Sequence, residues 1–342
     1  MRDRVQRKRF SVRLLLWLSV LVIILPLAPL ERAEGQAVKI VAALGTAPPD
    51  LTLNTYYYAQ ENGFYKAENL DVQLNPFNGD ATAMRALTAG EADIAVVGLG
   101  IPLKAIEAGS KVKVVLATAP KLDYLLVAQK GIASAKDLEG KNVGVSGPGA
   151  VSYQVPLLMI KAAGGNPSKV QFVSVGGSSA RTLALIAKKI DGAVLNTSFA
   201  SRTFKYDYLH SIGDAARDLP NFIYVVEVAT EKTVQQKRAA LQAFLTATLR
   251  GARWAMQNPE AAILISQKVL PDVAKDEIAA GVRAFAKSQY YNADGALRKE
   301  AWDFTVDELL KGGELKQRLN YNDHVVTEFA QAAVGKLGPF KR

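Results

Sequence analysis

Short apolar runs alternate with helical segments along the first part of the chain. Four runs rich in β-branched residues predict strands, at residues 38–44, 69–77, 92–97 and 111–117. Helical segments over residues 51–62 and 80–89 end at Gly63 and Gly90, which are typical helix stops. Strands that alternate with helices of about ten residues indicate an α/β fold with a parallel sheet.

The same pattern then starts again. Strands are predicted at residues 141–146, 169–175 and 192–196, with helices over residues 151–163 and 179–188 between them. Residues 87–97 (LTAGEADIAVV) and 186–195 (IAKKIDGAVL) each contain a helix end, a turn with an aspartate and an apolar strand. The chain is therefore predicted to contain two copies of one α/β plan.

Two extended apolar segments, residues 123–130 (DYLLVAQK) and 221–230 (NFIYVVEVAT), flank the second copy and predict a two-strand hinge. Lobe 1 is then expected to comprise residues 36–125 and 226–342, and lobe 2 residues 126–225. The 3.6-residue periodicity after the second crossing predicts further helices, over residues 238–257, 259–269, 275–287 and 300–311.

Residues 1–35 have the pattern of a secretory signal peptide. A basic start precedes the uncharged run 14–30, and Ala33-Glu34-Gly35 supplies small residues for cleavage. This predicts an exported protein, and the absence of cysteine excludes a lipoprotein. An uncleaved membrane anchor is the alternative, because 17 apolar residues approach the ~20 needed to span a bilayer.

Composition favours binding over catalysis. The chain of 342 residues contains no cysteine and two histidines, which excludes disulfides, thiolate nucleophiles and cysteine-based metal sites. We therefore expect no catalytic residues, no metal and no cofactor. Of the net charge of +10, residues 1–35 contribute 7 of the 42 basic and 3 of the 32 acidic residues, so 35 basic and 29 acidic residues remain. A remainder of +6 without dense clusters argues against nucleic acid as a partner.

Several motifs, in order, carry a family resemblance. They are AQENGFY at residues 59–65 with LDV at 70–72, LTAGEADIA at 87–95, DLEGKNVGV at 137–145, and the stretch from Phe244 through NPEAA at 258–262. Over residues 38–290 the chain resembles periplasmic solute-binding proteins of ABC importers, in the branch that binds nitrate, sulfonates, taurine and thiamine-pyrimidine precursors. The resemblance implies a two-lobed type II binding-protein fold, each lobe a mostly parallel sheet flanked by helices, with solute held between the lobes.

The resemblance implies two kinds of partner, a small-molecule solute and an ABC permease with its cytoplasmic ATPase. The receptor itself is expected to be a monomer. The alternatives are a periplasmic sensor that uses the same cleft and an enzyme like the thiamine-pyrimidine synthases, which rely on a cysteine-rich motif that this chain lacks. Gly147-Pro148-Gly149 does not complete a dinucleotide fingerprint, because Ser152 stands at its sixth position.

Ligands of parallel α/β sheets bind beyond the carboxyl ends of the strands, where helix N-termini and loops offer hydrogen bonds. The loops expected there are rich in Gly, Ser, Thr and Asn, for which helix capping is the alternative role. Ten residues are predicted to contact the solute: Thr46, Asn78, Gly79, Leu99, Tyr124, Ser146, Ser152, Tyr153, Asn196 and Phe199. Arg181 is expected to face solvent, and pairing with an anionic group of the ligand is the alternative. Donor-rich loops and mild basicity favour a small organic anion, and the aromatic side chains leave room for an aromatic or heterocyclic solute.

Overall fold

The computed structural model describes residues 36–341, so the predicted signal peptide over residues 1–35 lies outside the described residues. Within the described range, no helix combines the length and apolar character needed to cross a membrane.

The first part of the chain forms four strands and four helices, and the four strands and two of the helices lie close to the predicted positions. They are β1 (Val38–Leu44), α1 (Asn54–Glu61), α2 (Phe64–Ala67), β2 (Leu70–Pro76), α3 (Asp80–Ala89), β3 (Ile94–Gly98), α4 (Gly100–Glu107) and β4 (Val112–Ala119). Helix α4 was not predicted, because Gly100 and Pro102 are typical helix breakers. Both lie in its first turn, where proline is tolerated because the N–H groups have no partner inside the helix.

The middle of the chain forms a second group of elements. They are β5 (Tyr124–Gln129), β6 (Asn142–Val145), α5 (Val151–Ala162), β7 (Gln171–Ser174), α6 (Ser178–Ile186), β8 (Gly192–Asn196), α7 (Thr197–Ala200), β9 (Leu209–Asp214) and α8 (Ala215–Asp218). Strand β9 was not predicted, since it has no apolar run and buries only Leu209 and Gly213.

The chain then returns and becomes mainly helical. The elements are β10 (Val225–Thr230), α9 (Glu231–Gln236), α10 (Arg238–Gln257), α11 (Pro259–Val269), α12 (Lys275–Ser288), α13 (Lys299–Lys311), α14 (Tyr321–His324) and α15 (Glu328–Leu337). Helices α10 and α11 have the predicted bounds. Helix α10 packs closely on α1, because Gly251 has no side chain: a Cβ there would lie 2.7 Å from the Thr55 carbonyl oxygen.

The strands form two mixed five-stranded sheets of the same design. Their orders are β2-β1-β3-β10-β4 and β7-β6-β8-β5-β9. In each sheet the fourth strand runs antiparallel to its neighbours, β10 in the first sheet and β5 in the second. We call the elements around the first sheet lobe 1 and those around the second sheet lobe 2.

The two aspartates of the predicted repeat occupy equivalent positions. Asp93 precedes β3 and accepts a hydrogen bond from the Val41 N–H at 3.1 Å. Asp191 precedes β8 and accepts one from the Asn142 N–H at 2.8 Å. Each carboxylate therefore ties a turn to the neighbouring parallel strand, as expected for structural rather than catalytic aspartates.

Candidate functional site

A narrow cavity of about 50 Å³ lies between the two lobes. Its walls are loops at the carboxyl ends of parallel strands, where solute sites of α/β sheets are expected. The residues from lobe 1 lie in the loop after β1, at the start of α3 and at the end of β3. The residues from lobe 2 lie in the loop after β6 and at the start of α5. The residues that line it are Gly45, Thr46, Asp50, Thr52, Leu53, Gly79, Asp80, Val96, Val97, Gly98, Tyr124, Ser146, Ala150, Val151, Ser152, Tyr224 and Val225.

Two carboxylates make the lobe 1 wall acidic. Asp50 is buried, and its Oδ1 accepts the Thr52 N–H at 2.9 Å. Asp80 opens helix α3, and its Oδ2 accepts the Gly98 N–H at 3.1 Å. Burial raises the pKa of Asp50 to about 6 and that of Asp80 to about 7, because both carboxylates lose hydration. The proximity of Asp50 also raises the pKa of Asp80, so the two groups lie close enough to interact.

Glycines leave room for the Asp80 carboxylate. A Cβ at Gly45 would lie less than 3.0 Å from Asp80 Oδ1, and a Cβ at Gly98 would lie 3.0 Å from Oδ2. Gly79, directly before Asp80, has a φ of 115°, which side chains rarely adopt. The sequence Asn-Gly-Asp and the glycines that end or follow two strands thus place this carboxylate at the cavity wall.

Two hydroxyl groups backed by a buried arginine form the lobe 2 wall. Ser152 Oγ donates to Ser146 Oγ at 2.8 Å and accepts the Ser146 N–H at 2.8 Å. Ser146 Oγ also accepts from Arg181 Nη1 at 2.8 Å. A hydroxyl has two acceptor lone pairs and one proton, so Ser146 retains its own O–H as a donor at the wall.

Arg181 is almost fully buried, and the expectation that it faces solvent is wrong. Its guanidinium donates to Val194 O, Gly176 O and Ser178 Oγ at 2.6–3.0 Å, besides Ser146. Burial lowers the pKa of Arg181, and the opposing effects of Tyr124, Tyr224 and Asp50 favour its charged form. The arginine thus holds lobe 2 loops in place behind the cavity wall.

The cavity is aromatic on the side where the chain passes between the two lobes. Tyr124, in β5, and Tyr224, directly before β10, hydrogen-bond through their hydroxyls at 2.8 Å. Their rings are 5.0 Å apart. Beside them Asp123 accepts from the Thr197 hydroxyl at 2.5 Å, and burial raises the pKa of Asp123 to about 7. The two crossing segments are therefore joined by side chains at the point where the cavity ends.

The lobes are in close contact around the cavity. A Cβ at Gly98, in lobe 1, would overlap Val151 Cγ2 of lobe 2, and a Cβ at Gly100 would overlap the Gln154 amide. At another position, Arg202 Nε of lobe 2 pairs with Glu277 Oε2 of α12 at 2.7 Å. The structure thus represents a closed arrangement, in which 50 Å³ has room for only a few water molecules.

The structure brings five of the ten candidate residues to this cavity and leaves five away from its walls. Thr46, Gly79, Tyr124, Ser146 and Ser152 line it. Leu99 is fully buried in the core, and Asn78 is exposed. The remaining three have other contacts. Tyr153 packs on Phe172 at 4.7 Å, Phe199 lies in a small core of lobe 2, and Asn196 accepts the Ser178 hydroxyl at 2.6 Å and reaches Tyr224 at 3.5 Å.

Several residues that line or support the cavity were not predicted from the sequence, among them two aspartates, a tyrosine and an arginine. Asp50 and Asp80 stand in loops that were assigned to the cleft, but their carboxylates were not chosen as candidates. Tyr224 lies in the segment assigned to the hinge, and Arg181 was assigned to the surface. The signal that could have identified the aspartates is their position at a helix start in a loop that follows a strand. Asp50 is the N-cap of a short 3-10 helix, and Asp80 is the first residue of α3.

The chemistry of the cavity suits recognition of a polar solute. Its walls combine carboxylates, hydroxyls and tyrosines, and none of the described residues that line it is Lys, Arg or His. Among residues 36–341 no cluster of three or more His, Asp or Glu side chains is arranged to hold a metal ion.

Comparison with known proteins gives a consistent family. The family model described as "NMT1/THI5 like" matches residues 52–262. The formylaminopyrimidine-binding protein of Halalkalibacterium halodurans is 26% identical over 257 residues, covering 72% of this chain and 76% of that protein. The riboflavin-binding protein RibY of Chloroflexus aurantiacus is 24% identical over 250 residues, covering 72% and 70%.

Solved structures share the fold at low sequence identity. The nitrate-binding protein NrtA from Synechocystis PCC 6803 superposes with a TM-score of 0.74 at 14% identity, covering 89% of this chain and 90% of its own. The aliphatic sulphonate-binding protein SsuA from Escherichia coli gives 0.68 at 14% identity, covering 86% and 99%. The desulfurization enzyme DSZB gives 0.64 at 15% identity, covering 87% and 99%.

Proposed function

This chain belongs to the NMT1/THI5-like family, and we propose that it is an extracytoplasmic receptor that captures a small organic solute between its lobes and delivers it to an ABC permease. The cavity between the lobes carries the proposal, because its polar walls come from both lobes and from both crossing segments. Closure around a solute would report occupancy to the permease.

The sequence left a small organic anion and an aromatic or heterocyclic solute open, and the names of the relatives support the heterocyclic cargo. Two relatives that each cover about 70% of this chain are named for binding a formylaminopyrimidine and riboflavin, both nitrogen heterocycles. Tyr124 and Tyr224 at the hinge end of the cavity would offer such a ring stacking or edge contacts once the lobes separate.

Binding without catalysis fits the residues at the site better than enzymatic chemistry does. The fold alone does not decide, since a desulfurization enzyme shares it. However, the two serine hydroxyls at the cavity bond to each other and to Arg181, so neither is paired with a base that could activate it. The chain also has no cysteine to act as a nucleophile.

Thermal unfolding of the purified protein, with a panel of pyrimidines, flavins, aromatic acids, sulfonates and nitrate, tests the proposal. A solute at 1,000 times its Kd adds about 4 kcal/mol to the free energy of unfolding, which raises the Tm by several degrees. Uptake of the bound solute should then fall when the gene is deleted from its host. Binding with unchanged uptake would indicate a sensor, and no stabilisation by the panel or by a metabolite extract would refute the receptor function.

A further inference from the structure

Within the described residues, the carboxylates of the lobe 1 wall have no basic side chain beside them at the cavity. Asp50 and Asp80 both line the cavity, and the described residues that share its walls include no basic side chain. Each carboxylate receives a backbone N–H, from Thr52 or from Gly98. Desolvated carboxylates with so few donors are costly, and a ligand that brings donors would offset that cost.

A second, independent observation is the Thr52 hydroxyl. Thr52 lines the same cavity and is 2% exposed, yet its Oγ1 has no hydrogen-bond partner. The Asp50 carboxyl and the Tyr290 phenol lie close enough to interact with this hydroxyl, but outside the distance and angles of a regular hydrogen bond. An unpartnered buried hydroxyl beside a carboxylate leaves an acceptor and a donor available to a solute on this wall.

The nearby cation is not available to an anionic solute. Arg181 stands behind Ser146 and donates to four protein acceptors in lobe 2, Val194 O, Gly176 O and the hydroxyls of Ser146 and Ser178. An anion in the cavity would therefore meet two carboxylates directly and the guanidinium only through the serine. Coulomb repulsion at short range in a partly buried site makes that arrangement unfavourable.

We propose that the solute of this cleft presents N–H donors, on a neutral or positively charged group such as an amino-substituted heterocycle or an amidine, to Asp50 and Asp80, and that sulfonates, carboxylates and nitrate are rejected. The hydroxyl of Ser146, whose proton is free to donate, would contact an acceptor on the opposite edge of the solute. This inference rests on the proposed receptor function and specifies its substrate class.

Ring-matched ligands test the class directly. Titration calorimetry of the purified protein at pH 7.5 would compare 4-aminopyrimidine with pyrimidine-4-carboxylate, and benzamidine with benzoate and benzenesulfonate. We expect the donor-bearing member of each set to bind at least tenfold more tightly than its anionic counterparts. Tighter binding of any carboxylate or sulfonate than of its donor-bearing counterpart would overturn the inference.

Variants connect the preference to the wall. Asp80→Asn keeps the size of the side chain but removes its charge, and it should weaken binding of the donor-bearing ligands about ten- to hundredfold. Asp71→Asn removes the same charge from an exposed position at the far end of β2, and it should leave binding unchanged. Circular dichroism would establish that both variants are folded. Equal affinities of Asp80→Asn and the wild type would contradict the assignment.

A metabolite extract separates this inference from the receptor function. If an extract raises the Tm while every donor-bearing ligand is silent, the substrate class is wrong and the receptor function stands. If extract and ligands are all silent, both proposals fail.

Discussion

Closure of the lobes depends on a glycine at the end of β3. In the closed arrangement, a Cβ at Gly98 would lie less than 3.0 Å from Val151 Cγ2, a methyl group on a stiff β-branched side chain of lobe 2. Carbon atoms in contact are normally 3.5–4.0 Å apart, so Gly98→Ala would force the lobes to separate by about 1 Å or more. We therefore expect this variant to oppose closure.

The size of the effect follows from the cost of overpacking. Inserting one methyl group into a well-packed contact costs about 1–3 kcal/mol, which corresponds to roughly a 5- to 150-fold loss of solute affinity. The backbone of Gly98 is not left-handed, so alanine adds no backbone strain there. Without solute the lobes are free to separate, and the Tm of the ligand-free protein should change little.

Titration calorimetry with the solute that the binding panel identifies would measure the loss, and small-angle X-ray scattering would report the radius of gyration with solute bound. Gly147→Ala is the matched control, because Gly147 lies in the loop after β6 and a Cβ there would meet nothing within 4 Å. A Cβ at Gly98 would also lie 3.0 Å from Asp80 Oδ2, so displacement of this carboxylate is a competing explanation for a loss of affinity in Gly98→Ala. The double variant Gly98→Ala/Val151→Ala distinguishes the two explanations, because it removes the contact between the lobes and leaves the contact with Asp80. Wild-type affinity in Gly98→Ala, or no recovery of affinity in the double variant, would refute the closure argument.

Three further predictions concern buried polar groups. Burial raises the pKa of Asp123 to about 7, whereas the same carboxyl in the unfolded chain loses its proton above about pH 4. The free energy of unfolding is therefore highest below pH 4 with respect to this group, and it falls as the pH rises from about 4 to about 7. Asp123→Asn should therefore raise the free energy of unfolding at pH 8 by up to about 4 kcal/mol and change it little at pH 4, as measured by urea unfolding. Arg181→Met should cost about 3 kcal/mol or more, because it leaves four acceptors in lobe 2 without their donor, and Arg181→Lys should not restore the loss; urea unfolding tests both. Tyr224→Phe removes the hydroxyl that bonds to Tyr124 and should cost about 1 kcal/mol, measured in the same way.

The fold was predictable from the sequence where periodicity is strong. Helix α10 was predicted with its observed bounds because its apolar positions repeat on one face, where Leu241, Phe244 and Leu245 are buried. Edge strand β9 was missed because a strand with few buried positions has little apolar signal. The places of β5 and β10 within the sheets also have no local signal, since β5 lies between β8 and β9 and β10 lies between β3 and β4, all of them distant in sequence.

The loops of the site were predictable, but the direction of their side chains was not. Leu99 follows the β3 strand as expected, yet its helical backbone places it in the core, while Asn78 remains exposed. Arg181 was misassigned because charged residues are usually exposed, and its burial is made possible by acceptors from β8 and two loops that only the tertiary structure brings together. Local propensity therefore locates the cleft, and packing between elements decides which groups face it.

The two walls of the cleft have complementary requirements, and this gives a physical reason for a solute to drive closure. Lobe 1 presents carboxylates that lose hydration as the gap narrows, so closing over water alone leaves them short of donors. Gly98 and Gly100 allow the lobes to approach each other because they have no side chains that would clash. The Arg202–Glu277 ion pair is 22% exposed at each side chain, so its contribution to the stability of the closed form is small. The free energy that selects the closed form must then come mainly from the solute, through donors that replace the water lost by Asp50 and Asp80. The receptor that we propose would close firmly only on a solute of the correct hydrogen-bonding pattern, so selection of the solute and closure of the lobes would arise from the same contacts.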